Sequence, residues 1–406
     1  MSRAALGAAL AAAVLAGCSG GGGGGGDTVS GDVLRIYSSQ PLRGVLAAQA
    51  QAIVRGERLA LEDARGRAGK WRIEYRPLDD ADPATGTWEP GIVSANARRA
   101  AQDDKTIAYL GEMGTGASAV AIPILNETGI LEVSPTDSVT GFTREAGANP
   151  GEPDKYYPTR DENFARLVPP DHVQAAALLQ LLQDTRSERV YVVHDQKLYG
   201  QGVARAVARG ARGKGVEVVQ VRGIDLEDAN LPGLGEEVAA SGADAFLYAG
   251  EPVPRVPALY GAVSHGAPRA RLFGTYTQVN AAFARELAPR ASVVATAPWL
   301  ELEAYPASAR EVGRRYEERH GEPMPAPALY GYEAMAVVLD AIRRAGDDGN
   351  DRARVIDELL ETRSRASVLG RYSIDRDGDV TTKVYGAYRV RDGRVAFTRV
   401  LDPLGA

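Results

Sequence analysis

Residues 109–138 read YLGEMGTGASAVAIPILNETGILEVSPTDS, and the pattern of this segment decides the predicted fold. The apolar run TIAYL at residues 106–110 is typical of a buried strand, and the Gly-rich run GEMGTG that follows is typical of a turn. Residues 117–126 suit a short helix despite Pro123, and residues 129–134 return to a strand pattern before the polar turn SPTDS. This order of elements places both turns at the same edge of a parallel sheet.

The first of these turns has the features of an anion-binding site. The backbone N–H groups of Thr115, Gly116 and Ala117 are expected at a helix N-terminus, where unpaired donors and the helix dipole favour negative charge. The segment therefore predicts a small-molecule ligand that carries a carboxylate or a phosphate.

The alternation of strands and helices extends outward on both sides of this segment. Before it, the pattern predicts strands at 33–38 and 71–77 and helices at 44–64 and 92–102. After it, a helix at 171–184 precedes strands at 189–194, 216–221, 243–249, 271–274 and 292–297, with helices between the strands. The repeated layout predicts an α/β protein with two doubly wound parallel-sheet domains, whose ligands lie beyond the carboxyl ends of the strands. Gly56 interrupts a helix and indicates that another backbone approaches it closely.

The last hundred residues predict a chain that passes between the domains several times. Three helices, at 306–320, 329–344 and 352–362, precede two strands at 383–391 and 394–401 that are joined by an Asp392-Gly393 turn. These late strands need an existing sheet to join. We therefore assign residues 32–163 and 300–372 to a first ligand-binding domain, and residues 164–299 and 373–406 to a second.

Composition excludes several classes of protein. Hydrophobic residues make up 44% and charged residues 25% of the 406 residues, which is typical of a globular protein rather than a disordered or multi-span membrane protein. The formal charge of −6 does not fit a nucleic-acid-binding surface. The four histidines are scattered without the spacing of metal ligands, so neither a metal nor a cofactor is predicted.

The N-terminal residues predict export and a lipid anchor. Residues 1–17 have a basic start and an apolar run typical of a signal peptide, and they end in Leu-Ala-Gly before Cys18, the only cysteine. This resembles the lipobox of bacterial lipoproteins, in which the cysteine is lipidated; an ordinary secretory leader is the alternative. Residues 18–31, with seven consecutive glycines, then form a flexible tether.

Four motifs together resemble the leucine/isoleucine/valine-binding proteins: LAGC, GTGAS, GILEVSPTDS and VVHDQKLYGQG at residues 192–202. These are type I periplasmic binding proteins that deliver amino acids to ABC importers. The resemblance implies two domains joined by a hinge with several crossovers, closing on a branched-chain or related amino acid. It also implies a monomer without enzymatic activity, held on the extracytoplasmic face of the cell membrane, with an ABC permease as partner.

The resemblance also implies the residues of the site. Thr115 matches the hydroxyl residue that holds the ligand carboxylate, Thr136 and Ser138 match the second turn, and Tyr199 matches the tyrosine that closes over the ligand. The family's acidic partner of the ligand ammonium aligns near Tyr276, so Glu251 is the alternative source of this charge, and Asp137 adds a carboxylate where the family has a small residue. The predicted ligand-binding residues are Thr115, Gly116, Thr136, Asp137, Ser138, Tyr199, Glu251 and Tyr276.

Other interpretations stay open at this point. Thr115 and Ser138 are also suited to capping helices, and Tyr199 to an ordinary half-buried position. The same fold serves ligand-sensing receptor subunits that bind an amide, a polyol or another small polar ligand. A dinucleotide-dependent enzyme is the remote alternative, because residues 114–119 fit GxGxxA and Glu132 follows on the next strand. The acidic run DRDGD at residues 375–379 is interpreted as a turn, since its glycine is misplaced for a calcium loop.

Overall fold

The computed structural model describes residues 28–405, and two large β-sheets form the centre of the molecule. The predicted signal peptide, Cys18 and most of the predicted tether lie outside the described residues. Among residues 28–405, no helix has both the length and the apolarity that crossing a membrane requires.

The first sheet has six strands in the spatial order β2-β3-β1-β4-β5-β6. The strands are β1 (Val33–Gln40), β2 (Arg67–Ala68), β3 (Trp71–Asp79), β4 (Thr106–Leu110), β5 (Leu131–Ser134) and β6 (Phe164–Arg166). Neighbouring strands pair in parallel except β2, which is antiparallel to β3. The connecting helices are α1 (Ala47–Asp63), α2 (Pro90–Ala101) and α3 (Ser118–Asn126). The predicted alternation is confirmed.

The second sheet has seven strands in the order β15-β14-β11-β10-β9-β7-β8. Its main series is α4 (Asp171–Asp184), β7 (Arg189–His194), α5 (Leu198–Gly210), β8 (Glu217–Gly223), α6 (Leu231–Ala240), β9 (Ala245–Ala249), α7 (Val256–Gly266), β10 (Arg271–Gly274), α8 (Ala281–Glu286) and β11 (Val293–Ala297). The strands of this series pair in parallel. The fold is therefore the predicted α/β architecture with two wound sheets.

The rest of the chain returns to the first sheet and then to the second. It comprises α9 (Ala307–His320), α10 (Ala326–Arg344), α11 (Arg352–Leu360), a small hairpin of β12 (Arg365–Ser367) and β13 (Gly370–Tyr372), and the hairpin of β14 (Tyr385–Arg391) and β15 (Arg394–Leu401). Helix α10 packs along α1, and α11 contacts β4 and β5. Strand β14 pairs antiparallel with β11 of the second sheet. The chain thus crosses between the sheets three times, at residues 167–170, 298–306 and 373–384.

The first crossover begins later than the sequence predicts. The sequence assigns residue 164 onward to the second domain, whereas β6 pairs with β5 of the first sheet. A strand of three residues is too short to show alternating periodicity, and this one follows a loop rich in glycine, proline and charge. The first sheet therefore extends to Arg166.

Gly56 lies where helices α1 and α10 cross. A Cβ atom at Gly56 would lie 1.9 Å from the carbonyl oxygen of Ala328, and a Cβ atom at Gly331 would lie 2.2 Å from the carbonyl oxygen of Ile53. Side chains do not fit such gaps, so both positions require glycine. The close backbone approach predicted at Gly56 is confirmed.

Helix α1 also places a carboxyl group inside the first domain. Glu57 is fully buried and accepts a hydrogen bond from the hydroxyl of Tyr75, which lies 2.7 Å from Ser38 Oγ. Burial raises the pKa of Glu57 to about 8. This effect outweighs the hydrogen bonds of the Tyr75 and Ser38 hydroxyls, which lower the pKa.

Glu57→Gln is expected to flatten the pH dependence of stability. The folded-state pKa of about 8 exceeds the ordinary value of 4.5, so the folded chain binds a proton that the unfolded chain has lost between these pH values. Stability then falls as pH rises through this window, by up to about 1.4 kcal/mol per pH unit. Urea unfolding at pH 4 to 8.5 measures the effect. Parallel curves for the variant and the wild type would contradict the assignment.

Candidate ligand-binding site

The first predicted turn lies at the carboxyl end of β4 and leads into α3. Gly116 has a φ of 104°, which favours glycine. A Cβ atom at Gly114 would lie 2.2 Å from Cδ1 of Trp88, so the indole packs directly on the turn. Trp88 belongs to the connection between β3 and α2, and sequence reasoning did not assign it to the site. Its position as one of only three tryptophans, in a polar loop at the same edge of the sheet, was the available signal.

The side chain of Asp137 fills the predicted anion-binding position. Its carboxylate accepts hydrogen bonds from the N–H of Gly116 at 3.1 and 3.2 Å and from the N–H of Ser118 at 3.3 Å. The N–H of Ala117 donates to the Gly114 carbonyl at 2.8 Å. In this arrangement the chain supplies its own anion to the Gly116 N–H and a turn carbonyl to the Ala117 N–H, and the binding of a ligand anion at this turn stays a prediction.

Burial is the largest influence on the pKa of this carboxyl group. Asp137 is fully buried, and this raises its pKa to about 6, although the N–H of Gly116 and the charge of Arg166 favour the ionised form. Asp137 thus adds a largely charged carboxylate at neutral pH, and the helix N-terminus of α3 stabilises that charge.

Hydroxyl groups connect the two turns. Ser134 Oγ accepts from the N–H of Asp137 at 2.8 Å and donates to the carbonyl of Glu112 at 2.7 Å. Thr136 Oγ1 donates to the Met113 carbonyl at 3.1 Å. These bonds fix the spacing between the turns that follow β4 and β5.

Ser138 contacts the second domain instead of an open space. Its hydroxyl donates to Oδ1 of Asp171 at 2.7 Å, at the start of α4. Asp171 is buried, and burial raises its pKa to about 8 in spite of this bond. The hydroxyls of Thr136 and Ser138, both predicted ligand contacts, are therefore hydrogen-bonded within the protein in this arrangement.

Tyr276 of the second domain reaches the first turn, and Tyr199 packs beside it. The hydroxyl of Tyr276 is hydrogen-bonded to Oγ1 of Thr115, which joins the two domains directly. The ring centroids of Tyr199 and Tyr276 lie 5.3 Å apart, and the hydroxyl of Tyr199 donates to Oε1 of Gln174 at 2.9 Å. Trp299 packs edge-on against Tyr276, with 5.6 Å between the ring centroids. Thr115 and Tyr276 are thus opposite sides of a closed cleft.

Glu251 supplies a buried carboxyl group to the same cleft. It follows β9 and is 4% exposed, and its Oε1 has no hydrogen-bond partner among the described residues. Burial raises its pKa to about 7, while Lys197 and the neighbouring Trp88 indole favour its charged form. A buried carboxyl oxygen without a partner is costly, and an added donor would relieve this cost.

The structure brings all eight predicted residues together along the interdomain seam. Those of the first domain are Thr115, Gly116, Thr136, Asp137 and Ser138, and those of the second are Tyr199, Glu251 and Tyr276. None of them lines a cavity of about 660 Å³ that lies beside the seam, with Val45, Trp299, Tyr305 and Tyr388 on its walls. The seam is closed by direct contacts, whereas this cavity borders the second crossover.

Arg166 holds the second turn through hydrogen bonds to its backbone carbonyls. It is 0% exposed and donates from Nε to Oδ1 of Asp379 at 2.8 Å and from Nη1 to the Val139 carbonyl at 2.7 Å. Asp379 lies in the third crossover, where Asp375 Oδ1 accepts its N–H at 2.9 Å in the turn predicted at 375–379. Sequence reasoning did not identify this ion pair, because its two partners are 213 residues apart.

The dinucleotide interpretation does not fit the geometry. Glu132 lies within β5, between partners on β4 and β6, and is fully buried. Burial raises its pKa well above the ordinary value, and it is not at the strand end where a ribose would bind. Gly114 is explained by the packing of Trp88 on the turn.

Comparison with known proteins places this geometry in a family. The model of a family described as periplasmic binding protein matches residues 35–394, which is most of the chain. Similar proteins include an amino acid binding protein from Pseudomonas aeruginosa, 24% identical over 87% of this chain and 88% of the relative. A Leu/Ile/Val-binding protein homolog from Brucella melitensis is 23% identical over 87% of this chain and 90% of the relative.

Solved structures share the fold. A leucine-binding protein from Thermotoga maritima superposes with a TM-score of 0.77 and 22% identity, covering 91% of this chain and 99% of that one. A solute-binding protein of an ABC transporter from R. palustris, in complex with benzoate, has a TM-score of 0.72 and 16% identity and covers 91% and 96%.

These findings confirm the resemblance and the fold. The family and the relatives are binding proteins rather than enzymes, and the family implies an extracytoplasmic location. With two wound sheets, three crossovers and a cleft closed between the domains, the chain belongs to the periplasmic binding protein family.

Proposed function

We propose that the chain is the extracytoplasmic substrate-binding lipoprotein of an ABC importer, which binds an amino acid or a related small solute by hinge closure. The observation that carries the proposal is the bond between Thr115 and Tyr276, which joins the two domains at the carboxyl ends of their strands. Ligands of open α/β sheets bind at this edge. The relatives support the ligand class, since their names describe amino acid and Leu/Ile/Val binding.

The proposed mechanism is a shift between open and closed arrangements. A ligand favours the closed arrangement only by its higher affinity for it, and the three crossovers are the segments that absorb the motion. Closure brings Tyr199, Glu251 and Tyr276 against the first and second turns. A permease that recognises the closed form then receives the solute, and the protein works as a monomer.

The anchor is part of the proposal. Residues 1–17 act as the signal peptide, Cys18 carries the lipid, and the tether of seven glycines lets the domains reach a permease in the same membrane.

A thermal-shift screen of the purified full-length chain tests the proposal. Amino acids, amino-acid amides, amines, polyols, nucleosides and NAD form the panel. A solute at about 100 times its dissociation constant should stabilise the protein by roughly 2.7 kcal/mol, a readily measured shift. A response to no member of the panel, or to NAD alone, would overturn the proposed function. Loss of solute uptake on deletion of the gene separates import from sensing.

Removing the interdomain hydrogen bond is expected to weaken binding of the best solute from this screen. Thr115→Val and Tyr276→Phe should each weaken the binding free energy by about 0.5–1.5 kcal/mol, because each removes the hydrogen bond that closure forms. The double variant should cost no more than the larger single effect, since both changes delete the same bond. Calorimetry measures the affinities.

Tyr260→Phe is the matched control for this prediction. Its hydroxyl donates to the Phe273 carbonyl at 2.8 Å within the second domain, so its loss should reduce stability without changing affinity. Unchanged affinity in both Thr115→Val and Tyr276→Phe would remove this contact from the closure mechanism.

A further inference from the structure

The strand order of the first sheet identifies where its ligand crevice lies. From β1 the chain winds to β2 and β3 on one side, and it then continues to β4 on the other side of β1. The direction of winding reverses between β1 and β4, and open α/β sheets bind ligands at such a reversal, beyond the carboxyl ends of the strands. The first turn follows β4, and Gln40 is the last residue of β1. Gln40 and the first turn therefore border the crevice.

The side chain of Gln40 lies on the face of the sheet that α1 covers. Successive residues of a strand point to opposite faces. Ser39 Oγ accepts a hydrogen bond from the amide of Asn96 on α2 at 3.1 Å, so Ser39 points toward α2. Ser38 and Gln40 point to the other face, where Ser38 joins the hydrogen bonds of Glu57 on α1.

The first turn packs against this end of β1. A Cβ atom at Gly111 would lie 3.2 Å from the carbonyl oxygen of Ser39. Met113 of the same turn belongs to one hydrophobic cluster with Leu46, Ala50 and Ile53, at the entry and the first turns of α1. The end of β1, the start of α1 and the first turn thus enclose the position of Gln40.

The side-chain amide of Gln40 has no hydrogen-bond partner in this enclosure. Gln40 is 0% exposed, and neither its Nε2 nor its Oε1 has a partner among residues 28–405. An amide offers both donors and an acceptor, and leaving them buried without partners is costly. A buried carboxyl group relieves such a cost by binding a proton, whereas an amide has no neutralising step of this kind. A partner from outside the described chain is therefore expected at Gln40.

The partner of an amide has to accept and donate hydrogen bonds. A carboxamide does both with two parallel bonds, and a hydroxyl group does both through one oxygen atom. An aliphatic side chain does neither and would leave the buried amide unpaired. Sites built to hydrogen-bond a polar substrate group discriminate strongly against its apolar isostere for this reason.

We propose that Gln40 is a specificity-determining residue that pairs with a carboxamide or hydroxyl group of the solute, so that the solute class is polar amino acids such as asparagine, glutamine and threonine rather than branched-chain amino acids. This inference rests on the proposed solute-binding function and narrows its solute class. In this site Gln40 distinguishes solutes by their side chains.

Two isosteric pairs of amino acids test the inference by calorimetry on the full-length chain. Asparagine and leucine have side chains of the same branched shape, and so do threonine and valine. Within a pair the backbone charges are constant and only the polarity of the side chain changes. Asparagine is expected to bind at least tenfold more tightly than leucine, and threonine at least tenfold more tightly than valine.

Gln40→Met tests the assigned residue, because it keeps the length of the side chain and removes the amide. The variant should bind the polar member of each pair at least tenfold more weakly than the wild type does, without weaker binding of the apolar member. Since the amide is unpaired in the free protein, the variant should also be at least as resistant to urea as the wild type when no solute is present. Loss of a merely structural residue would lower that resistance.

Thr106→Val is the matched control. Thr106 is also fully buried, and its Oγ1 has no partner among the described residues, but it begins β4 and so lies at the opposite edge of the sheet. This variant should leave the preference within both pairs unchanged. Circular dichroism checks that each variant folds.

The outcomes separate this inference from the proposed function. Leucine and valine that bind as tightly as asparagine and threonine would overturn the inference and leave the solute-binding function in place, as would binding of another solute of the panel but of neither pair. An unchanged preference in a folded Gln40→Met variant would overturn the role of Gln40. Binding of neither pair and of nothing in the wider panel would overturn both.

Discussion

Arg166→Met is expected to lower the free energy of unfolding by about 3–5 kcal/mol, because it leaves a buried carboxylate without its main partner. Arg166 is 0% exposed and Asp379 is 2% exposed. Although burial opposes it, the charge of Arg166 holds the pKa of Asp379 below its ordinary value. Arg144 also bonds Asp379 but is about one third exposed, so it replaces only part of the lost interaction.

The ion pair between Arg166 and Asp379 is also expected to affect solute binding. Arg166 ends the first sheet, and Asp379 belongs to the third crossover, so the pair connects the second turn of the site to the hinge. The Arg166→Met variant should therefore also weaken solute binding. Urea unfolding followed by circular dichroism measures the first effect, and calorimetry measures the second.

Two further variants control this prediction. Arg391→Met removes a 58% exposed side chain that, among residues 28–405, pairs only with the adjacent Asp392, and it should change stability by less than about 0.5 kcal/mol. Arg166→Met combined with Asp379→Asn should recover part of the loss, because no unpaired charge remains buried. Equal stabilities of the Arg166→Met and Arg391→Met variants would show that the buried pair contributes nothing.

Gly56→Ala is expected to destabilise the protein by about 2–3 kcal/mol through overpacking. Helix propensity alone predicts the opposite sign, a gain of about 1 kcal/mol when alanine replaces glycine in a helix. The clash decides the sign, since the new Cβ would lie 1.9 Å from the Ala328 carbonyl oxygen, which is backbone and does not rotate away. Helices α1 and α10 would have to separate.

Gly261→Ala is the matched control for this prediction. Gly261 lies in α7, and its new Cβ would make an ordinary contact at 3.6 Å with Cβ of Ala288. The free energy of unfolding of this variant should rise by about 0.5–1 kcal/mol, because the higher helix propensity of alanine acts without a clash. Thermal unfolding of both variants gives the comparison. A stabilised Gly56→Ala variant would contradict the close crossing of the two helices.

The architecture was predictable from sequence because its long elements carry strong periodicity. The strand at Arg271–Gly274 and the closing strand at Arg394–Leu401 have the predicted bounds, and each of the late helices α9, α10 and α11 differs from its predicted bounds by a few residues at one end. The strands β2, β6, β12 and β13 were missed, since two or three residues carry no period. Short elements depend on tertiary partners that local sequence does not show.

The site was predictable as a set of positions but not as a set of bonds. Thr115 and Tyr276 were both named, yet no local pattern shows that their hydroxyls meet across the cleft. The helix N-terminus of α3 was also recognised as favourable to an anion. Its occupant, the carboxylate of Asp137, lies 21 residues from Gly116, so only the folded turn brings them together. The ligand contacts of the eight residues stay predictions.

The placement of the hairpin of β14 and β15 has a consequence for how the chain folds during synthesis. Strand β11 can pair with β14 only after residues 385–401 have emerged, because this hairpin supplies the edge of the second sheet. Until then the nascent chain presents an open strand edge, which invites incorrect pairing. The second domain therefore cannot complete its sheet until residues 385–401 have been synthesised.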